Sequence, residues 1–151
     1  MSLFATLLFA SPWIAAAILS LSLLLLGMAK SVHDDVLDGA LNIVKNNCTR
    51  MTLCNAEPTT YTEANATFAL ADVTMAAGDF TAANGDTSGR KLTIAAKNAV
   101  PVDTTGTSTH VALLDVTNSK LLYVTTHTSQ ALTSGNTANI GSWKFEIADP
   151  T

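Results

Sequence analysis

The sequence predicts a mainly β protein, a β-sandwich or small barrel, with one amphipathic helix at its amino end and an apolar segment before that helix. Two observations predict the β class. Threonine occurs 22 times, 21 of them after residue 48, and its branched side chain favours strands. Short alternating segments separated by polar turns fill the same region, which is typical of sandwiches and small barrels. A third observation, the uncharged run Leu3–Met28, separates an apolar head from the domain.

Length and charge limit the classes of function. A chain of 151 residues is long enough for one domain with a substantial core. The net charge is −4, from 8 basic and 12 acidic residues. Because a protein that binds the nucleic-acid backbone needs a basic face, this balance argues against a nucleic-acid partner.

The apolar head, residues 1–27, has three interpretations. Pro12 suits the first position of a helix, so a membrane anchor would span Pro12–Met28, near the lower length limit for crossing a bilayer. Gly27-Met28-Ala29 fits a signal-peptide cleavage site, although no basic residue precedes Lys30. The third interpretation is an upstream extension, with the working protein beginning near Met28 as one β-rich domain over residues 28–151.

An amphipathic helix is expected at about residues 31–46. Ser31 is placed to cap its first turn, and Asp34, Asp35 and Asp38 would lie near the positive end of the helix dipole. Apolar residues recur at helical spacing through this segment and predict one apolar face. We expect that face to pack on a sheet or on a neighbouring subunit. The expected interaction surface consists of Val36, Leu37, Leu41 and Val44.

The remaining chain is assigned from alternation and turn residues. Loops are expected at Asp79–Gly89 and Asn98–Thr107, and Ala64–Met75 fits helix and strand equally. Strands are expected at Thr49–Cys54, Arg90–Lys97, Thr109–Thr117, Lys120–Thr128 and Ile140–Ile147. In the last of these, alternation places Trp143 and Phe145 on one face.

Asn118-Ser119 predicts a two-residue hairpin turn between two strong strands. That register would place His110 opposite His127, and Leu114 opposite Tyr123. A cross-strand pair of histidines can ligate a metal ion. No third ligand lies nearby in the sequence, so we expect polar residues at the open end of a hairpin, and no metal site.

Cys48 and Cys54 exclude a local disulfide if Thr49–Cys54 is extended. Their α-carbons would then be about 20 Å apart at roughly 3.3 Å per residue, whereas a disulfide requires about 4.4–6.8 Å. We therefore expect free, partly buried thiols.

The segment "NGDTSG" places Asn84, Asp86 and Ser88 in a spacing that resembles the first half of a calcium-binding loop. The position of the bidentate glutamate is Ala95, so an ordinary polar turn is expected. No catalytic constellation, phosphate-binding loop or cofactor motif is present in the sequence. We therefore expect no catalytic residue, no cofactor and no metal, and a protein that is not an enzyme.

From Met28 onward the chain resembles small virion proteins of tailed bacteriophages. The stretches that carry this resemblance span nearly all of residues 28–151: "MAKSVHDDVLDGALN", "PTTYTEA", "NGDTSGRK", "THVALLDVTNSKLLYVTT", "SQALTSGNT" and "FEIADP". Residues 1–27 fall outside it, which favours the extension interpretation.

The resemblance implies a non-enzymatic structural protein, a capsid-surface decoration or cement subunit, assembled in the host cytoplasm into the virion. Its expected partners are other copies of itself and virion proteins such as the major capsid protein. The competing hypothesis is a membrane-anchored or pilin-like surface subunit with a β-rich head, which would require residues 1–27 as an anchor.

Overall fold

The computed structural model describes residues 30–151, so the predictions made for residues 1–27 lie outside the described part of the chain. Within it, one α-helix, α1, spans Asp34–Asn47. A π-helical turn spans Glu63–Thr67 and a 3-10 turn spans Ala77–Asp79. The strands are β1 Arg50–Cys54, β2 Ala69–Thr74, β3 Phe80–Asn84, β4 Arg90–Ile94, β5 Lys97–Pro101, β6 Gly106–Asp115, β7 Lys120–Leu132, β8 Thr137–Ile140 and β9 Trp143–Ile147.

The strands form three antiparallel sheets. The four-stranded sheet has the order β2-β1-β6-β7, the three-stranded sheet has the order β3-β4-β9, and β5 pairs with β8. A bridge between Ala71 and Val102 links the edge of β2 to the end of β5. The predicted mainly β class with one helix is confirmed, and the sheets do not close into a barrel.

Helix α1 begins three residues later than predicted. His33, and not Ser31, is the N-cap, and its Nδ1 accepts a hydrogen bond from the backbone N–H of Asp35 at 3.2 Å. Asp34 and Asp35 lie in the first turn and Lys45 in the last turn, as the helix dipole favours.

One face of α1 packs against both larger sheets, on β3 and β4 of the three-stranded sheet and on β6 of the four-stranded sheet. Leu41 is fully buried, and Leu37 and Val44 are buried beside it. A bidentate ion pair adds to this contact, because Arg90 on β4 donates through Nε and Nη2 to the two carboxylate oxygens of Asp38, at 2.7 and 3.0 Å. Paired, parallel hydrogen bonds of this kind fix the orientation of both groups.

Aromatic side chains link the far edges of the two larger sheets. Tyr123 of β7 stacks on Phe145 of β9 with 4.2 Å between ring centroids, and on Trp143 with 5.8 Å. Trp143 and Phe145 therefore lie on one face of their strand, as the alternation predicts.

Two segments predicted as loops contain strands. Strand β3 lies within Asp79–Gly89 because Phe80 is buried in the core, and the polar part of that segment is only the turn between β3 and β4. Most of strand β5 lies within Asn98–Thr107, and it includes a residue with positive φ, Ala99. The ambiguous segment Ala64–Met75 divides into the end of the π-helical turn and strand β2.

Two segments that were each predicted as one strand contain parts of two strands. Arg90–Lys97 separates into the end of β4 at Ile94 and the beginning of β5 at Lys97. Ile140–Ile147 separates at Gly141-Ser142 into the end of β8 and strand β9. In both places the chain leaves one sheet and enters another, a change that alternation along a single segment does not reveal.

The turn between β6 and β7 has four residues, since Asp115 pairs with Lys120. The Asp115 carboxylate accepts hydrogen bonds from the backbone N–H and the side-chain amide of Asn118, at 3.0 and 2.7 Å. These bonds stabilise a wider turn than the predicted two-residue one. Two register shifts on β7 follow, so the predicted pairings of His110 with His127 and of Leu114 with Tyr123 are wrong.

Leu41→Ala is expected to destabilise the fold strongly. Because Leu41 is fully buried, the substitution removes apolar contacts and leaves a cavity, at a cost of about 2–5 kcal/mol. Denaturant unfolding monitored by circular dichroism measures the loss. The matched control is Val36→Ala on the outer side of the same helix, which should change the free energy of unfolding by about 0.5 kcal/mol or less. Equal losses for the two variants would contradict this orientation of α1.

Candidate functional site

The predicted interaction surface on α1 is divided between the inside and the outside of the protein. Leu37, Leu41 and Val44 are buried against the sheets, so they hold the domain together and are not available to a partner. Val36 alone among the four remains outside, with 64% of its surface exposed. The reason is geometric, because successive helical residues are about 100° apart and Val36 falls on the line next to Leu37.

A different set of residues forms the apolar surface that is accessible on α1. Ile43 lies seven residues after Val36, nearly two helical turns away on the same line, and is 57% exposed. Ala40 lies between them and is also exposed. We call Val36, Ala40 and Ile43 the outer stripe. Among residues 30–151, Val36 and Ile43 are the large hydrophobic side chains that stand exposed.

The two histidines of the hairpin bind different neighbours. His110 Nδ1 lies 2.8 Å from Thr109 Oγ1. His127 Nε2 lies 2.7 Å from Ser108 Oγ, and its Nδ1 donates to the carbonyl oxygen of Thr128 at 2.7 Å. Both ring nitrogens of His127 are therefore occupied by hydrogen bonds within the protein.

The loop that resembles a calcium site directs its oxygens to protein cations. Asp86 forms ion pairs with Lys91 and Lys144, and the side-chain oxygen of Asn84 accepts a hydrogen bond from Arg90. Gly89 has a φ of +69°, and a Cβ there would lie 2.0 Å from the carbonyl oxygen of Ile147. The glycine is needed for this close turn, so the pattern has a structural explanation.

Both cysteines are free and buried, and the extended strand β1 separates them. Burial raises the pKa of the Cys48 thiol above its ordinary value to about 11, and burial likewise raises the pKa of the Cys54 thiol. Since the thiolate is the reactive form, both side chains behave as small apolar core groups.

A pocket of about 310 Å³ opens between the four-stranded sheet and the segment that joins β8 to β9. Its inner wall is a cross-strand row, Leu53, Val111 and Thr125, from three neighbouring strands. Trp143 also lines this pocket, which we call the Trp143 pocket. Its volume lies at the lower end of the range for small ligand sites. The full lining is Leu53, Val111, Thr125, Thr126, His127, Gln130, Asn139, Ile140, Gly141, Ser142, Trp143 and Lys144.

The charge at the pocket is neutralised. Lys144 pairs with Asp86 and, at 3.3 Å, with Glu146. One polar atom of the lining remains unpaired, because Trp143 Nε1 is buried and no described residue accepts its hydrogen. The pocket thus combines apolar side chains, neutral polar groups and one ion-paired lysine, which suits an uncharged occupant.

The pocket and the edge of β7 beside it are features that the sequence did not indicate. The lining residues come from β1, β6, β7, β8 and the start of β9, so no local motif contains them. The feature of the sequence that could have indicated this edge is the long, uncharged second strand of the hairpin. In the structure this strand continues to Leu132.

No family model, curated protein or solved structure matches this chain. Within residues 30–151, no group of three or more His, Cys, Asp or Glu side chains is arranged to hold a metal ion. None of the helices in this part of the chain is both long enough and apolar enough to cross a membrane.

The thiols provide a test of the core around β1. In denaturant without reductant, both cysteines should react with a thiol reagent. In the native protein at about pH 8, Cys48 should react roughly a hundredfold more slowly, since each unit of raised pKa removes a factor of ten in thiolate. Thr128→Cys, at an exposed position, is the control and should react rapidly in both states. If fewer than two of the cysteines Cys48 and Cys54 react in the denatured wild-type chain, a disulfide is present. That result would contradict the conclusion that both thiols are free.

Proposed function

We propose that this chain is a non-enzymatic structural subunit of a tailed-phage virion, and that it decorates the capsid surface by docking through the outer stripe of α1. The resemblance of residues 28–151 to small virion proteins supports the setting. The observation that carries the docking surface is the alignment of Val36 and Ile43 on one exposed line of a rigid helix.

The outer stripe has the properties of a small protein contact. Single exposed hydrophobic residues are ordinary, whereas an aligned apolar group with a charged rim is typical of an association surface. The rim is acidic at its amino-terminal end, because Asp34 and Asp35 lie in the first turn beside Val36. A partner surface that is apolar at its centre and basic at its edge would complement it.

The stripe is held in place from behind. The buried side of α1 packs on two sheets, and the ion pair from Arg90 to Asp38 ties the first half of the helix to β4. An interface on such a preorganised element loses little conformational entropy on binding. The pilin-like alternative requires residues 1–27 as an anchor. The two hypotheses predict different locations for the protein, in the membrane or in the virion.

The virion role is tested by locating the chain in infected cells and in purified particles. Quantitative mass spectrometry of particles should find it at a copy number comparable to that of the major capsid protein, and labelled antibodies should bind the capsid and not the tail. Recovery from host membranes, with none in the particles, would favour the membrane-anchored alternative and overturn the proposal.

The stripe itself is tested with the double variant Val36→Gln and Ile43→Gln. Glutamine favours helix at least as well as valine and isoleucine, so the fold should be retained while the apolar contact is lost. Incorporation into particles lacking the wild-type chain should fall by at least about tenfold, the effect of about 1.4 kcal/mol in binding.

The matched control for the stripe is Asn42→Gln with Asn46→Gln, at exposed positions of the same helix. It should be incorporated like the wild type. If both double variants are incorporated equally well, the docking surface lies elsewhere on the molecule.

A further inference from the structure

Strand β7 is an open edge of the four-stranded sheet. It pairs with β6 on one side only, and no backbone hydrogen bond from another described element reaches its outer side. The strand runs over 13 residues, so its edge is about 40 Å long at roughly 3.3 Å per residue. Unpaired N–H and C=O groups along such an edge are a template for another strand.

Among residues 30–151, no charged side chain after Lys120, no proline and no covering segment protects this edge, and the two register shifts on β7 leave Tyr123–Thr126 as its longest regular part. Protein edges are commonly protected by charged side chains, proline or a covering segment. From Leu121 to Leu132 there is neither a charged residue nor a proline, and Thr126 and Thr128–Ala131 are exposed. The edge strand β9 differs, because Lys144 and Glu146 occupy its outward positions.

The Trp143 pocket lies directly beside this edge, on the inner face of the sheet. Tyr123 and Thr125 alternate along β7 and share that face. Tyr123 stacks on Trp143 there, and Thr125 lines the pocket, as does His127. A strand added to β7 would continue the sheet outward. Its inward side chains would then fall next to this row, at the mouth of the pocket.

We propose that the β7 edge binds an extended, uncharged segment of another polypeptide, and that an apolar side chain of this segment enters the Trp143 pocket. Backbone hydrogen bonds to β7 supply affinity, and the pocket selects the inserted side chain, as in other cases of strand addition. Its volume of about 310 Å³ accommodates a side chain of leucine size. Because the charge of Lys144 in the lining is already paired with Asp86 and Glu146, burying a further charged side chain there would be costly.

A second folded copy fits less well than a separate extended segment. If two copies paired through β7, each would bring its own Tyr123, Thr125 and His127, which already face their own domain. No side chain would then be free to fill the pocket. The β7 edge shares no residue with the outer stripe, so this binding mode goes beyond the proposed function and can succeed or fail independently of it.

The test uses the full chain and a synthetic probe. The probe is a short peptide of alternating threonine and leucine with a lysine at each end for solubility, fluorescently labelled for anisotropy. A second peptide has alanine at every leucine position. The leucine peptide should bind saturably, and the alanine peptide at least about tenfold more weakly. A photoreactive leucine in the probe should crosslink to residues 125–130 or 139–144.

Protein variants separate the pocket from the edge. A Cβ at Gly141 would meet no atom within 4 Å, so Gly141→Leu adds a side chain beside the pocket without a clash and should weaken the leucine peptide at least about tenfold. Its control is Gly78→Leu, at an equally open position outside the pocket. Thr126→Lys with Thr128→Lys places charges on the edge and should abolish binding of the peptide. Its control is Thr87→Lys with Thr104→Lys, at exposed positions outside β7.

The outcomes decide between three readings. Loss of binding in the edge and Gly141 variants, with both controls unchanged, supports strand addition. Absence of saturable binding by the wild type, or binding that both test variants retain, overturns it. Dimerisation of the wild type that the edge variant abolishes, without peptide binding, would show that the occupant is a second copy and would also overturn the proposal.

Discussion

The packing of α1 across the two larger sheets is the contact on which the rest of this structure depends. Leu41 of α1 is fully buried. The helix contacts β4 of the three-stranded sheet and β6 of the four-stranded sheet. The chain that leaves the helix reinforces this junction, because Thr49 donates its N–H to Leu114 and accepts from Met75, both at 2.9 Å. One short segment therefore fixes the helix, the start of β1 and the end of β2 relative to one another.

This junction determines which surfaces of the domain remain exposed. With Leu37, Leu41 and Val44 directed inward, the outer stripe must face away from the sheets. At the β7 edge of the four-stranded sheet, Tyr123 stacks on the aromatic side chains of β9 and links the two larger sheets. The Trp143 pocket lies beside that stack, between the four-stranded sheet and the segment that joins β8 to β9.

Charge is distributed so that these two surfaces differ in character. The ion pairs of Asp86 with Lys91 and Lys144, and of Lys97 with Asp79 at 2.7 Å, lie on or beside the three-stranded sheet and β5. Such pairs near the surface contribute little to stability, but they leave charged groups around β3, β4 and β9. Strand β7 has none after Lys120. The outer stripe, acidic at its amino-terminal end, and the neutral edge of β7 therefore differ in charge.

The sequence by itself determined the elements whose signal is local. Helical spacing and the Asp-rich first turn located α1 to within a few residues, and alternation located β1, β6 and most of β7. It also indicated that the two cysteines do not bridge, because extended backbone between them sets their separation. It did not determine the hairpin register, since that depends on the hydrogen bonds that Asn118 donates to the Asp115 carboxylate and on two irregularities in β7. Only the tertiary structure decided that Val36 and Leu37, adjacent in one apolar face, have opposite roles, because the sheets cover only part of the helix surface. Only the tertiary structure placed Trp143 beside Thr125 and left β7 without an outer neighbour among residues 30–151, since pairing between distant strands is set by the packing of the whole core.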